Sequence, residues 1–310
     1  MYTTTTNDAD LASAVMERIG KSWDNRVAVR KDRLDLTQYT DPSIPDFPIA
    51  MVPFWDDPDF AALDDAARHR FLGCAWVAYN EKAIYLEDAI VNPMCTLLLR
   101  GALPGVGDPR VKQVIAQILV DEQFHILMCL DICNVARERH GLQDFTSPEP
   151  NLGVRHRALL ASAADEHEAA LVRMAYATIS ECSINEFLNT VADDKTIQPL
   201  NRINTDMHRR DESVHGPAIR QIASSVYRAL DEDSQRRYRE YLRDALDIFT
   251  TPDPEQWTPL LDYLGIPNRE AIMTRLRERM AGRKLRRDYT IIRAMFDELG
   301  ITGQVGFEFA

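Results

Sequence analysis

The chain carries the pattern Glu-x-x-His twice, at Glu122–His125 and Glu212–His215, and an aspartate precedes each copy, Asp121 and Asp211. A chain of this length and ordinary composition holds about 0.4 such matches by chance. Two copies, flanked alike, therefore constrain the fold more than any other feature. At i and i+3 of an α-helix the Glu and His project from one face and reach one interior point. Two such helices, each partnered by a helix that supplies one more carboxylate, make a four-helix bundle that holds a pair of metal ions.

The partner carboxylates are sought on the helix preceding each motif. Glu87, in AIYLEDAI, and Glu181, in ATISECSINEFL, both sit among apolar residues at helical spacing. Asp88 and Glu186 lie nearby and could serve instead. The apolar surroundings favour Glu87 and Glu181, because a buried carboxylate needs a compensating charge. His208 lies four residues before Glu212 and seven before His215, so the three side chains fall within an arc of about 60° on one helix. Carboxylate and imidazole donors suit iron or manganese, whereas a tetrahedral thiolate set would suit zinc. Four carboxylates balance two divalent cations. Asp121 and Asp211 are placed to accept the second ring N–H of a ligand histidine on the opposite helix.

The rest of the chain reads as helical. Gly is sparse, with 13 in 310 residues, and alternating apolar-polar runs are scarce. A short helix is expected within residues 1–22 and an extended Pro-rich wrap over Thr37–Pro58. A long helical region follows at 59–100, broken near Asn92–Pro93, then helices near 109–140, 153–191 and 197–228. Shorter helices are expected at 231–249, 255–264, 268–281 and 288–299. The domain reading is a single unit over 1–310, with wrap (1–58), metal-binding core (59–228) and C-terminal helices (229–310).

Composition narrows the function classes. A formal charge of -12 argues against a nucleic-acid partner, which needs Lys and Arg in excess. Five cysteines without a CxxC pair read as buried thiols in a reducing compartment. The polar start lacks a secretory pattern, and no apolar run reaches the roughly 20 residues that span a bilayer. The expectation is a soluble, cytoplasmic protein with no membrane partner.

At these residues the chain resembles the di-iron N-oxygenases, the family of p-aminobenzoate N-oxygenase. The resemblance runs from about Asp46 to Leu299 through PDFPIAMVPF, WVAYNEK, LVDEQFH, TIQPL, HRRDESVHG and the late RRDY. It implies an all-α, ferritin-like bundle with a di-iron centre and extra N- and C-terminal helices. The family's ligands map onto Glu87, Glu122, His125, Glu181, His208, Glu212 and His215, with His208 the histidine that separates it from most ferritin-like relatives. It further implies two iron ions, O2 as co-substrate, and a peroxo-diferric species that oxidises an amine nitrogen in natural-product (antibiotic) biosynthesis. An electron donor such as a ferredoxin or flavin reductase and a homodimer are also implied. Tyr79, Asn80 and Lys82 are expected at the substrate pocket, and Trp76 in the core. The family's arylamine member carries Arg after its Tyr-Asn-Glu, where this chain has Lys82. Lys lacks the bidentate fork of Arg, so an alkyl amine, hydroxylamine, hydrazine or carrier-bound amino acid is as open as an arylamine.

Three other readings share the motif. A radical-generating ribonucleotide reductase subunit would place tyrosine four residues after the first His, where this chain has Cys129. Iron storage would need a ferritin cage and far fewer residues. A hydrocarbon or acyl-chain oxygenase differs in substrate.

Overall fold

The structure is a computed structural model that describes residues 8–31, 35–285 and 287–309. Expectations on residues 1–7, and on Arg286 of the RRDY motif, lie outside these. The helices are α1 (Asp8–Arg26), α2 (Pro58–Ala61), α3 (Asp65–Leu86), α4 (Asn92–Leu99), α5 (Pro109–His140), α6 (Asn151–Ser162), α7 (Glu166–Ser183) and α8 (Asn185–Asp193). They continue with α9 (Pro199–Ala229), α10 (Glu232–Thr250), α11 (Thr258–Tyr263), α12 (Arg269–Met280), α13 (Thr290–Leu299) and α14 (Thr302–Val305). No strand occurs among the described residues, and no helix in them is long and apolar enough to cross a membrane. The fold is all-α: α3, α5, α7 and α9 form the ferritin-like bundle, and the remaining helices are additions to it.

Local chemistry sets the helix ends. Asp108 caps α5 by accepting from the Arg110 N–H at 2.8 Å, Pro109 opens it, and Gly141 closes it at φ 63°, the left-handed conformation that glycine adopts without a Cβ penalty. Asp64, Asp165 and Asp231 cap α3, α7 and α10 in the same manner.

Three expectations on the elements need correction. The helix does not break at Asn92–Pro93. Instead Glu87–Val91 form a π-helical turn between α3 and α4. The ring of Pro93 would clash with the carbonyl four residues before it, and the wider turn relieves this without ending the helix. Residues 153–191 are three helices, not one. The first interruption precedes Asp165, which caps α7, and the second is the single residue Ile184, beyond which the Asn185 amide donates to the Glu212 carbonyl. The Pro-rich segment is not simply extended, since it holds 3₁₀ turns at Leu36–Tyr39 and Ile49–Met51.

Two apolar clusters flank the bundle's polar centre. One gathers Ile90, Met94, Ile115, Ile118, Leu171, Ala175 and Ile219 with α10 and α13. The other packs the Pro-rich wrap against α3 and the C-terminal helices through Phe54, Phe60, Phe71 and Trp257, with ring centroids 4.9–6.2 Å apart. Trp76 is fully buried there, as expected of a core residue. The wrap is pinned by the Asn201 amide, which donates to the Asp46 carbonyl at 2.8 Å, and by Arg275, which pairs with Asp57 at 2.7 Å. All five cysteines are buried and unpaired.

Candidate metal centre

Seven ionisable side chains meet between the two apolar clusters. Glu87 enters from the π-turn, Glu122 and His125 from α5, Glu181 from α7, and His208, Glu212 and His215 from α9; each is at most 3% exposed. Gly216 lets α9 approach α7 closely. A Cβ added there would lie 3.0 Å from the Glu181 carbonyl oxygen.

The donors fall into two groups. Glu87, His125 and His208 place ligand atoms within 4.8 Å of one another, and so do Glu122, Glu181, Glu212 and His215. Two carboxylates straddle the groups. Glu122 sets Oε2 3.3 Å from His125 Nδ1 and Oε1 2.8 Å from His215 Nδ1. Glu212 Oε1 stands 3.4 Å from His125 Nδ1, 3.4 Å from His208 Nε2 and 3.3 Å from His215 Nδ1. Glu87 and Glu181 are peripheral: Glu87 Oε1 is 3.2 Å from His208 Nε2, and Glu181 Oε2 is 3.8 Å from His215 Nδ1.

These atoms are near one another yet mostly fail to bond. Both oxygens of Glu87, one oxygen each of Glu122, Glu181 and Glu212, His208 Nε2 and His215 Nδ1 are buried without a hydrogen-bond partner. Even the 2.8 Å approach of Glu122 to His215 is misdirected for a hydrogen bond. Lone pairs aimed at a shared point, rather than at each other, produce this pattern. Each such buried polar atom costs free energy unless something satisfies it.

Electrostatics tell the same story. Burial, then the charges of Glu212 and Glu122, raise Glu181 well above the carboxylate range. Burial also raises Glu87, although His208 opposes it. Burial disfavours a charged imidazole at all three histidines and, at His208, the His125 ring adds to this. Their acidic neighbours prevail, and each pKa ends well above the ordinary value. Burial likewise opposes ionisation of Glu212, but His215, His125 and His208 hold it well below the usual range. The cluster attracts positive charge. Protons can provide it, and two divalent cations would provide it with better geometry. The buried carboxylate and imidazole set fits a di-iron site.

A further layer orients the rings. His125 Nε2 lies 3.3 Å from Asp211 Oδ2, and His215 Nε2 lies 3.2 Å from Asp121 Oδ2. Each aspartate thus serves the histidine of the opposite helix. With that N–H donated outward, the neutral form of each ring would turn its Nδ1 lone pair to the cluster, as a metal ligand requires. Helix α1 secures both acids: the Trp23 indole N–H reaches both oxygens of Asp121 at 3.0 Å, and Arg26 pairs with Asp211 at 3.3 Å. The Ala28 N–H also donates to Asp211, at 3.1 Å.

Residues 10–300 match the family described as p-aminobenzoate N-oxygenase AurF. The chain belongs to that family. It is 32% identical over 303 residues to the 4-aminobenzoate N-oxygenase of Streptomyces thioluteus, an alignment covering 96% of this chain and 90% of that protein. A member of the p-aminobenzoate N-oxygenase family is an oxygenase, and this chain is an enzyme of that kind.

The three expected pocket residues are placed differently from one another. Tyr79 lies within electrostatic reach of Glu87 and Cys129 and stacks on Trp76, ring centroids 5.7 Å apart. Asn80 donates its amide to the Trp76 carbonyl of its own helix at 2.8 Å. Lys82, half-buried, faces Asp253 and Arg287, and loss of water lowers its pKa. Sequence reasoning missed Trp23, Arg26 and Cys129. The Cys129 thiol, pushed up to about 12 chiefly by burial, lies beside His208. Nothing local marks Trp23 or Arg26, since their partners are more than ninety residues away.

A third group, Asp46, His69 and His140, also brings donors together. Here Asp46 is already satisfied, by His140 Nε2 at 2.6 Å, Arg139 at 3.3 Å and the Asn201 amide. With a guanidinium in place, this cluster fixes the wrap and has no need of a metal.

Proposed function

We propose that the chain is an O2-dependent non-haem di-iron N-oxygenase acting on the nitrogen of an amine, hydroxylamine or hydrazine. Glu87, His125 and His208 would hold one iron and Glu181 and His215 the other, with Glu122 and Glu212 within reach of both groups of donors. The observation that carries this reading is the set of buried, unpartnered donor atoms converging from four elements. Iron bound there supplies the activation of dioxygen.

The chain's own residues do the rest. Asp121 and Asp211 keep the N–H of His215 and His125 turned outward. Tyr79, backed by Trp76 and Phe47, walls the side nearest Glu87. Lys82 and Arg287 are two cations whose charges burial disfavours, an arrangement suited to the anionic end of a substrate. The Streptomyces relative is named for 4-aminobenzoate, which has such an end. Lys82 here is a point charge rather than a fork, so we place the substrate among amines bearing a carboxylate or phosphate. A hydrocarbon chain would offer neither cation a counter-charge.

The wider assignment is an enzyme of natural-product biosynthesis, fed electrons by a ferredoxin or a flavin reductase. A homodimer is supported by Val120, Leu127 and Leu130, exposed on one face of α5, since solvent-facing apolar stripes mark association surfaces.

The test is direct. Iron-loaded protein is mixed with O2 and a panel holding 4-aminobenzoate, an aminoalkyl carboxylate and a fatty acid, and products are identified by mass. Oxygen added to nitrogen supports the reading. Hydroxylated hydrocarbon, or iron deposited as oxide without product, refutes it.

A further inference from the structure

The metal-binding cluster is buried, yet an oxygenase must receive electrons from outside. At the edge of α1 the structure holds a continuous hydrogen-bonded connection between the surface and the cluster. The Trp23 indole is half-buried, and the Arg30 guanidinium lies 5.9 Å from its ring centroid. Its N–H donates to both oxygens of Asp121 at 3.0 Å. Asp121 in turn accepts from His215 Nε2 at 3.2 Å, and His215 Nδ1 faces Glu122 and Glu212.

A second observation marks the same place. A crevice of about 10 Å³, at the lower limit for one water, is lined by Trp23, Gln117, Asp121 and His215. The back of a cluster imidazole therefore comes close to solvent beside Trp23. The mirror position differs in kind. There Asp211 is held by the Arg26 guanidinium and the Ala28 N–H, a cation and a backbone amide where Asp121 has an indole.

We propose that Trp23–Asp121–His215 is the route by which electrons reach the metal pair. The proposal rests on the di-iron reading above. Electron tunnelling falls off far more steeply through van der Waals gaps than through bonds and short hydrogen bonds, so a path of an aromatic ring and two such bonds is favoured. The donor is a reduced iron–sulfur protein. In each transfer its cluster is oxidised by one electron and one ferric ion becomes ferrous. Two transfers reduce the pair, and no bond to Trp23, Asp121 or His215 is made or broken. Trp23 acts through its neighbours and is a positioning residue for electron entry.

The experiment is anaerobic reduction of the iron-loaded, oxidised full-length protein by a reduced ferredoxin, followed by bleaching of the ferric absorption. Trp23→Phe keeps a ring and removes the N–H. It should retain iron and midpoint potential while reduction slows by about tenfold or more. Trp55→Phe makes the same exchange at a half-buried tryptophan of the wrap, packed under Arg68, and leaves the route intact; reduction should run at the wild-type rate. An unchanged rate in Trp23→Phe, or equal slowing in both variants, overturns the route. Loss of iron from Trp23→Phe makes Trp23 a prop for the site and overturns it also. Wild-type protein that binds no iron overturns the di-iron reading, an outcome distinct from the other three.

Discussion

The His125 ring on α5 is held by Asp211 of α9, Nε2 to Oδ2 at 3.3 Å, so the two DExxH helices orient each other's donors. Each helix is incomplete without the other. Asp211→Asn keeps the shape of this contact but removes the charge that fixes the tautomer. Iron affinity should fall by about 10- to 100-fold, measured by competition with a coloured chelator, with helical circular dichroism unchanged.

The two donor groups should empty separately. His208 belongs to the group with Glu87 and His125, whereas Glu181 belongs to the other. His208→Ala and Glu181→Ala should each lower iron from about two per chain to about one, because each leaves the other group's donors intact. Metal analysis combined with Mössbauer spectroscopy of the retained ion distinguishes the two variants. Glu212→Ala, which removes a carboxylate near all three histidines, should bind neither ion.

Without metal the cluster should be sensitive to pH in a defined direction. The folded-state pKa values of His125, His208 and His215 are raised despite burial, because the acidic neighbours favour their protonated forms. A histidine that holds its proton more tightly when folded stabilises the protein fully below its unfolded value, about 6.5. That stability is lost as pH rises through the folded value. The metal-free protein should therefore melt at lower temperature as pH increases above neutrality. Cations displace those protons, so iron loading in weak buffer should acidify the solution, as read with an indicator dye.

Gly216 supplies a test of packing at the site. A Cβ there meets the Glu181 backbone oxygen at 3.0 Å and the Ile291 side chain at 3.1 Å. Gly216→Ala should cost about 1–3 kcal/mol of stability through overpacking and should weaken iron binding by displacing α7. Paired thermal melts and iron titrations check both effects.

How much of this was legible beforehand follows from the range of the interactions involved. The i, i+3 spacing of Glu122 with His125 and of Glu212 with His215 is a local property, so the sequence alone puts each pair on one helix face. Glu87 and Glu181 were separable from Asp88 and Glu186 only by their apolar neighbours. The structure agrees in placing Glu87 and Glu181 inside, with Asp88 exposed and Glu186 bonded to the Asp288 N–H at 2.9 Å. The breaks at Asp165 and Ile184 were invisible because the whole stretch has good helix formers, and contacts there such as Asn185 with Glu212 are made to residues distant in sequence. Trp23 and Arg26 illustrate the limit. Three residues apart on α1, they share a face like any such pair, and that this face meets Asp121 and Asp211 is a fact of tertiary packing.

The π-helical turn at Glu87–Val91 has a meaning for the register of the whole first helix. Such a turn carries one residue more than an α-helical turn, and each residue advances the helix by about 100°. Deleting one residue between Asp88 and Val91 would regularise the backbone. It would also rotate everything upstream relative to the metal donors of α5 and α9, turning Tyr79 and Lys82 away from where they now stand. The insertion thus acts as a phase setting. It fixes the angle at which Glu87 and the turns before it meet the other donors, without ending the helix.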